Sequence, residues 1–138
     1  MFEVDFLDNE LASPKMQILL AEDDSSIRRF IEVILKRANY DVLTAECGLS
    51  AMKIALSNKI DAVVADAMMP NLGGFDLCRL MRQNPLMKNI PFVILSGLEQ
   101  DPDLVAEFQA DAYLVKGNDI KQRLTEKLSQ LLLQPATV

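Results

Sequence analysis

The sequence predicts an α/β fold in which one five-stranded parallel sheet is covered by helices on both faces. Three observations lead to this prediction. Short apolar runs alternate with helical patterns five times along the chain. Four of the five runs are almost continuous in apolar residues, which is typical of parallel strands buried on both faces. The connections are short, as expected for consecutive strand–helix units with right-handed crossovers.

The five strands are predicted at the apolar runs Met16–Ala21, Tyr40–Thr44, Ala62–Ala65, Phe92–Leu95 and Ala112–Val115. Each run is followed by a helix whose apolar residues recur at helical spacing. The residues that mark these helices in turn are Ile27, Phe30, Ile31, Ile34 and Leu35; Leu49, Met52 and Leu56; Leu77, Leu80 and Met81; Leu104, Val105 and Phe108; and Ile120, Leu124, Leu128 and Leu131. The fourth helix has the weakest pattern. We expect all these apolar residues to pack in the core.

Helices can cover both faces of such a sheet only if the chain winds in one direction and then reverses. The flavodoxin-like, doubly wound order 2-1-3-4-5 meets this condition and leaves a crevice at the carboxyl ends of the first and third strands. We therefore predict one domain over residues 16–133. Residues 1–15 lack clean periodicity and are predicted to be an N-terminal extension that folding does not require, and residues 134–138 a C-terminal tail.

Composition argues against several classes of function. The net charge is −6 and no basic run occurs, so a broad electrostatic footprint for nucleic acid is not expected. The apolar runs are too short to span a bilayer and the acidic N-terminus is unlike a secretory signal, so we expect a cytoplasmic protein. Histidine is absent, which removes histidine metal sites and Ser-His-Asp or Cys-His catalysis. Cys47 and Cys78 lack CxxC spacing and are interpreted as buried or half-buried free thiols.

Polar side chains directly follow four of the predicted strands. These are Glu22-Asp23-Asp24 after the first strand, Asp66 after the third, Ser96 after the fourth and Lys116 after the fifth. Each has an ordinary structural explanation by itself: Asp24 is expected to cap the first helix, and an aspartate often ends a strand. Because the carboxyl ends of parallel strands share one edge of the sheet, the fold would bring all of these groups together.

The charges of these groups predict a metal site. Glu22, Asp23 and Asp66 contribute −3 and Lys116 contributes +1, which leaves −2 in one crevice. Carboxylates this near to one another raise each other's pKa unless a cation compensates their charge. A set of oxygen ligands favours Mg²⁺ as that cation. A site with Mg²⁺, a hydroxyl and a lysine suits a phosphoryl group, and Asp66 is then a candidate carboxylate nucleophile.

At this point the chain resembles the receiver domain of two-component response regulators, of which the single-domain chemotaxis regulator is the simplest member. The resemblance covers residues 16–133 and its motifs occur in the family's order. They are Ile18-Leu19-Leu20-Ala21-Glu22-Asp23-Asp24, Asp66-Ala67-Met68-Met69-Pro70, Gly73-Gly74, Ser96-Gly97 and Tyr113-Leu114-Val115-Lys116. Together these motifs are specific, whereas a lone Asp-x-x-Met-Pro would be weak.

The resemblance implies a phosphorylation site with a bound metal. Asp66 would be the phosphoacceptor, taking its phosphoryl group from the histidine of a sensor kinase or a phosphotransfer protein. Asp23 would ligate Mg²⁺ directly, Glu22 would act more through water, and the backbone carbonyl of Met68 would be a further ligand. Such a receiver catalyses its own phosphorylation and dephosphorylation, and is a signalling switch rather than a metabolic enzyme.

The resemblance also implies how the switch would work. Ser96 would hydrogen-bond a phosphoryl oxygen and Lys116 would pair with the phosphoryl group. Tyr113 would turn inward when Ser96 moves, which reshapes the face made by the fourth helix, the fifth strand and the fifth helix. That face would bind a downstream protein or a second copy of the chain.

One departure from the family and two alternatives remain. The family usually has proline after the lysine, with a cis bond, but Gly117 stands here and predicts a trans bond and a looser loop. This departure slightly favours a pseudo-receiver, an interaction module that phosphate does not control. A haloacid-dehalogenase-like phosphatase would need an acid two residues after its nucleophile, where Met68 stands, so we rank that alternative low.

Overall fold

Strands and helices alternate throughout the part of the chain that the computed structural model describes, residues 14–98 and 102–133. The elements in order are β1 Gln17–Ala21, α1 Ser25–Arg37, β2 Asp41–Ala45, α2 Gly48–Ser57, β3 Ala62–Asp66, α3 Gly74–Arg82, β4 Phe92–Ser96, α4 Pro102–Glu107, β5 Ala112–Val115 and α5 Ile120–Leu132. Each strand begins and ends within one residue of its predicted bounds. The short α4 is the helix whose sequence pattern is weakest.

The five strands form one parallel sheet in the order β2-β1-β3-β4-β5, which confirms the predicted flavodoxin-like topology. The winding direction reverses between β1 and β3, where Ala21 lies beside Ala65 in the register. Further along the sheet, Asp66 is level with Leu95, and Ser96 with Val115. The register therefore brings the last residues of β1, β3, β4 and β5 to one edge.

A hydrophobic core lies on each face of the sheet. Leu19, Val63 and Ile94 point to the face that α2 and α3 cover. Their immediate neighbours in the chain, including Ile18 and Val64, point to the face that α1 and α5 cover. Because successive strand residues alternate between two covered faces, both sets are apolar and the runs read as continuous. Full burial of each Leu or Ile side chain contributes about 2 kcal/mol.

The helices are less completely buried than their apolar patterns predict. Phe30, Leu49, Leu56 and Leu80 are exposed, at 56%, 53%, 61% and 40% respectively, so the expectation that every apolar helix residue packs in the core is wrong for these four. The physical reason is that a sheet covers only part of a helix circumference. Residues at the margin of an i, i+3, i+4 stripe therefore face solvent.

Two smaller predictions are confirmed. Asp24 caps α1, because its Oδ1 accepts hydrogen bonds from the backbone N–H groups of Ser26 at 2.9 Å and Ile27 at 3.0 Å. Cys47 is half-buried, Cys78 is buried, and both are free thiols.

The limits of the described chain bear on two further predictions. Most of the predicted N-terminal extension and the whole C-terminal tail lie outside the described residues. Within residues 14–98 and 102–133, no helix combines the length and apolar character needed to traverse a bilayer.

Candidate functional site

The predicted polar groups meet at the carboxyl edge of the sheet. Glu22 and Asp23 follow β1 directly, Asp66 is the last residue of β3, Ser96 ends β4 and Lys116 follows β5. The order of the strands explains this convergence, because β1 and β4 both pair with β3, and β5 pairs with β4. Groups that are far apart in sequence therefore line one crevice.

Three carboxylates form an acidic cluster in this crevice. One carboxylate oxygen from each of Glu22, Asp23 and Asp66 lies within 4.8 Å of the others. Glu22 is 1% exposed and Asp66 is 9% exposed, whereas Asp23 is open to solvent. An oxygen-only ligand set of this kind fits a hard divalent cation such as Mg²⁺. The exposed Asp23 leaves the cluster open on the solvent side.

Lys116 contacts two of the three carboxylates in this cluster. Its Nζ lies 2.8 Å from Oε1 of Glu22 and 3.4 Å from Oδ2 of Asp66. Burial raises the pKa of Glu22, although the hydrogen bond from Lys116 partly offsets this effect. Burial also acts to lower the pKa of Lys116, but the hydrogen bond to Glu22 and the charge of Asp66 outweigh it and raise this pKa above its usual value. The lysine is therefore held in its charged form between two acids.

The backbone after Asp66 runs close to its carboxylate. The N–H of Met68 donates to Oδ1 of Asp66 at 3.5 Å, while the Met68 side chain is 73% exposed. Residue 68 thus contacts Asp66 through its backbone and brings no acidic side chain to the site. This agrees with the low rank of the phosphatase alternative, which needs an acid at this position.

Ser96 is buried at the end of β4 and is tied to its surroundings by backbone and side chain. Its Oγ accepts a hydrogen bond from the N–H of Leu98 at 3.1 Å. Its carbonyl accepts a hydrogen bond from the N–H of Lys116 at 2.7 Å. The hydroxyl and the lysine are therefore coupled through adjacent backbone.

Tyr113 connects this edge to a cluster of aromatic rings. Its hydroxyl donates to the carbonyl of Leu98 at 2.5 Å, two residues after Ser96. Its ring stacks on Phe75 with centroids 6.1 Å apart, and Phe75 lies 5.1 Å from Phe108. Sequence reasoning did not find Phe75 and Phe108 as partners, because the three rings come from separate segments and no local spacing links them.

Arg28 is a second residue that sequence reasoning missed. Its Nη1 donates to the carbonyl of Glu22 at 2.9 Å, and its Nη2 lies 3.6 Å from Oε1 of Glu46. Arg28 therefore fixes the backbone that carries Glu22 and joins it to the loop after β2. Its place in the first turns of an amphipathic helix gave no signal of this role, since exposed arginines are common there.

The residue that departs from the family pattern has ordinary backbone geometry. The described residues contain no cis peptide bond, so the bond between Lys116 and Gly117 is trans, as predicted.

Comparisons with known proteins agree with this arrangement. A family model described as the response regulator receiver domain matches residues 18–129. Response regulator ArlR of Staphylococcus saprophyticus is 37% identical over 121 residues, which cover 86% of this chain and 54% of that protein. The chain thus spans about half the length of the curated relatives it matches.

Two solved structures show the same fold. Chemotaxis protein CheY4 of Vibrio cholerae has a TM-score of 0.79 at 27% identity, over 86% of this chain and 100% of that one. Response regulator TrrA of Thermotoga maritima, solved in complex with Mg²⁺ and BeF, has a TM-score of 0.77 at 28% identity, over 85% and 99% of the two chains. With a family match across most of its length and the sheet order predicted for a receiver, the protein belongs to the response regulator receiver domain family of two-component signalling.

Proposed function

We propose that the protein is a phosphorylatable receiver that accepts a phosphoryl group on Asp66 in the presence of Mg²⁺. The donor is the phosphohistidine of a sensor histidine kinase or a phosphotransfer protein. The observation that carries this proposal is the acidic cluster, in which one oxygen from each of three carboxylates lies within 4.8 Å of the others. Lys116 contacts two of the three, Glu22 and Asp66. Such a charge imbalance disfavours a purely structural role, because uncompensated like charges repel.

The proposed metal ligands follow from the chemistry of the cluster. Asp23 and Asp66 would ligate Mg²⁺ directly, together with the backbone carbonyl of Met68. Glu22 would act through water, since its Oε1 is already engaged by Lys116 at 2.8 Å. When bound, the ion would neutralise the charge that develops on the transferring phosphoryl group.

Asp66 would act as the nucleophile. One of its carboxylate oxygens attacks phosphorus, a P–O bond forms, and the P–N bond of the donor breaks with its electron pair left on the imidazole nitrogen. Lys116 lies 3.4 Å from Oδ2 of Asp66 and would pair with the new phosphoryl oxygens. The hydroxyl of Ser96 would hydrogen-bond one of them, and water would later hydrolyse the acyl phosphate.

The output surface would be the face made by α4, β5 and α5. The phosphoryl group carries nearly two negative charges, and Ser96 and Lys116 are the donors it would draw inward. Leu98 donates its N–H to Ser96 and accepts a hydrogen bond from the Tyr113 hydroxyl at its carbonyl. Movement of Ser96 would therefore disturb the contact of Tyr113. The reshaped face would bind a downstream protein or a second copy of the chain by shifting two existing states.

The test is labelling with a small acyl-phosphate donor, followed by mass mapping. We expect modification on Asp66 alone and only with Mg²⁺, and none in the matched variant Asp66→Asn. Labelling elsewhere, or full labelling in EDTA, would contradict the proposal.

Beryllofluoride with Mg²⁺ separates this function from the pseudo-receiver alternative. A receiver should show NMR shift changes that extend from Asp66 to Tyr113 and α4. Absence of binding, or changes confined to the immediate ligands, would favour an interaction module that phosphate does not control.

We also propose that residues 16–133 are the folding unit. Within residues 14–98 and 102–133, the first strand begins at Gln17 and all five strands of the sheet lie between Gln17 and Val115. A truncated chain that starts at Met16 should keep its free energy of unfolding to within about 2 kcal/mol. A larger loss would show that apolar residues of the extension pack on the domain.

A further inference from the structure

The loop between Asp66 and α3 contains an unusual backbone conformation. Two consecutive residues other than glycine have positive φ, Asn71 at 52° and Leu72 at 94°. Asparagine tolerates the left-handed region, but a leucine there is strained. Such a residue persists only where its surroundings fix it, so the contacts of Leu72 need a physical explanation.

The N-terminus of α2 provides one of these contacts. The first two N–H groups of this helix donate to the loop, Gly48 to the carbonyl of Leu72 at 3.0 Å and Leu49 to the carbonyl of Asn71 at 3.2 Å. The N-cap residue Cys47 makes no side-chain capping bond. The loop carbonyls therefore satisfy N–H groups that a helix N-terminus otherwise leaves unpaired.

Only glycine permits this approach at residue 48. A Cβ at Gly48 would lie 2.2 Å from the carbonyl oxygen of Leu72, a distance at which backbone must move. The half-buried Leu72 side chain also packs against the core beneath α2 and α3. Leu72 is thus held by its carbonyl and by its side chain at once.

The two ends of the loop are also fixed by backbone. The N–H of Ala67 donates to the carbonyl of Leu95 at 2.8 Å, and the N–H of Gly74 donates to the carbonyl of Ala67 at 3.1 Å. Met68 lies inside this closed loop, with its N–H 3.5 Å from Oδ1 of Asp66. Its position beside the acidic cluster consequently depends on how the loop is held.

We infer that Gly48 and Leu72 are positioning residues for the divalent-cation site. The contact between them, here called the α2 clamp, fixes the loop so that the backbone of Met68 stays beside the carboxylate of Asp66. A metal ligand supplied by backbone has no rotamer to adjust, so its placement must come from the loop itself. The inference rests on the proposed function, because it assigns Met68 to that site.

The test uses Gly48→Ala, with Leu49→Ala as its matched control. Leu49 has an exposed side chain, and alanine keeps the N–H that contacts the loop. We expect roughly tenfold weaker Mg²⁺ binding for Gly48→Ala, the scale of effect seen when groups that support metal ligands are removed. We expect a change within about twofold for Leu49→Ala, as for other surface substitutions. Binding is measured by titration of the full chain with MgCl₂.

A second measurement needs no metal. The amide hydrogen of Leu49 should exchange with solvent faster in Gly48→Ala than in the wild type, because displacement of the loop removes its acceptor. Leu72→Ala removes the side-chain anchor without adding an atom, and should weaken Mg²⁺ binding in the same direction. This variant decides the matter if Gly48→Ala does not fold.

The outcomes separate the two proposals. Mg²⁺ binding by the wild type with equal affinity in Leu72→Ala and in folded Gly48→Ala would overturn the α2 clamp and leave the proposed function intact. Failure of the wild type itself to bind Mg²⁺ would overturn both.

Discussion

The two ends of the sheet both carry aspartates, but their surroundings differ. At the amino end, Asp61 precedes β3 and Asp111 precedes β5, and each bonds reciprocally to the first residue of the neighbouring strand. The N–H of Gln17 donates to Oδ2 of Asp61 at 2.7 Å, and the N–H of Asp61 donates to the carbonyl of Gln17 at 2.8 Å. Phe92 and Asp111 form the equivalent pair at 2.7 and 2.9 Å.

A single arginine completes the amino end. The guanidinium of Arg82 contacts Oδ2 of Asp111 at 2.8 Å and donates to three backbone carbonyls, those of Gln109, Lys88 and Ile90. At the carboxyl end, by contrast, three carboxylates cluster together and the ammonium group of Lys116 contacts two of them. Asp61 and Asp111 at the amino end accept hydrogen bonds from fixed backbone donors. The three carboxylates at the carboxyl end instead contribute −3 against the +1 of Lys116. The hydrogen bonds of the amino end hold neighbouring strands together, whereas the excess negative charge of the carboxyl end supports the proposed cation site.

Arg82→Met should produce the largest loss of stability, about 3 kcal/mol, because it leaves a carboxylate and three carbonyls without their largely buried donor. Urea unfolding measures the loss. The matched control is Arg79→Met on the same helix, whose ion pair with Asp76 is exposed and whose side chain also lies over the Phe108 ring. This control should lose less than about 1 kcal/mol. Equal losses would mean that the amino-end network adds nothing beyond an ordinary surface pair.

Asp61→Ala should lose about 1–2 kcal/mol, because the N–H of Gln17 then has no acceptor at the start of β1. Asp41→Ala is the control, since Asp41 also stands at the start of a strand but its side chain is exposed. The control should stay within about 0.5 kcal/mol of the wild type. If both variants unfold at the wild-type urea concentration, the reciprocal pair does not stabilise the sheet.

Asp66→Asn, unlike the two amino-end substitutions, should not lower the free energy of unfolding. Without divalent metal, removal of one charge from the acidic cluster should leave the free energy of unfolding unchanged or raise it by up to about 1 kcal/mol. We expect Mg²⁺ to stabilise the wild type by binding to the folded state, and the same variant should lose most of that stabilisation. Unfolding in EDTA and in MgCl₂ measures both. A clear loss of stability in EDTA would show that Asp66 is held like the amino-end acids.

The sheet and the residues at its carboxyl edge could be predicted from sequence because both depend on local patterns. Continuous apolar runs fix the strands, and polar groups directly after them must share an edge once the order is 2-1-3-4-5. The Arg82 network could not be predicted in this way. Its acceptors lie on two separate connections, and three of them are backbone carbonyls, which no residue type reveals.

Two further features escaped prediction for related reasons. The exposure of Phe30 depends on how far the sheet extends beneath α1, and periodicity cannot give that distance. The α2 clamp depends on a backbone approach of Gly48 to Leu72, and nothing in the sequence distinguishes that glycine from one in an ordinary turn. Sequence patterns thus predicted which side chains meet at the carboxyl edge, whereas positioning by backbone required the structure.

The smallest expected effect is a difference in alkylation rate between the two cysteines. Cys47 lies at the start of α2, on the side of the acidic cluster, and hydrogen bonding by Ser50 lowers its pKa. Cys78 is buried in α3, and burial raises its pKa to about 11. Since the thiolate is the reactive form, iodoacetamide at pH 8 should alkylate Cys47 and leave Cys78 intact in the folded protein.

The alkylation rates of the two cysteines should depend on pH in different ways. A lowered pKa means that the alkylation rate of Cys47 levels off at a lower pH than that of a free cysteine. Ser50→Ala should shift the start of this plateau to a higher pH, because it removes the side-chain hydrogen bond that lowers the pKa of Cys47 most. Any reaction of Cys78 should keep increasing up to about pH 11. Mass mapping of each cysteine after timed alkylation measures both rates. Equal rates at pH 8 would contradict the difference in burial and show that α3 opens readily beside Arg82.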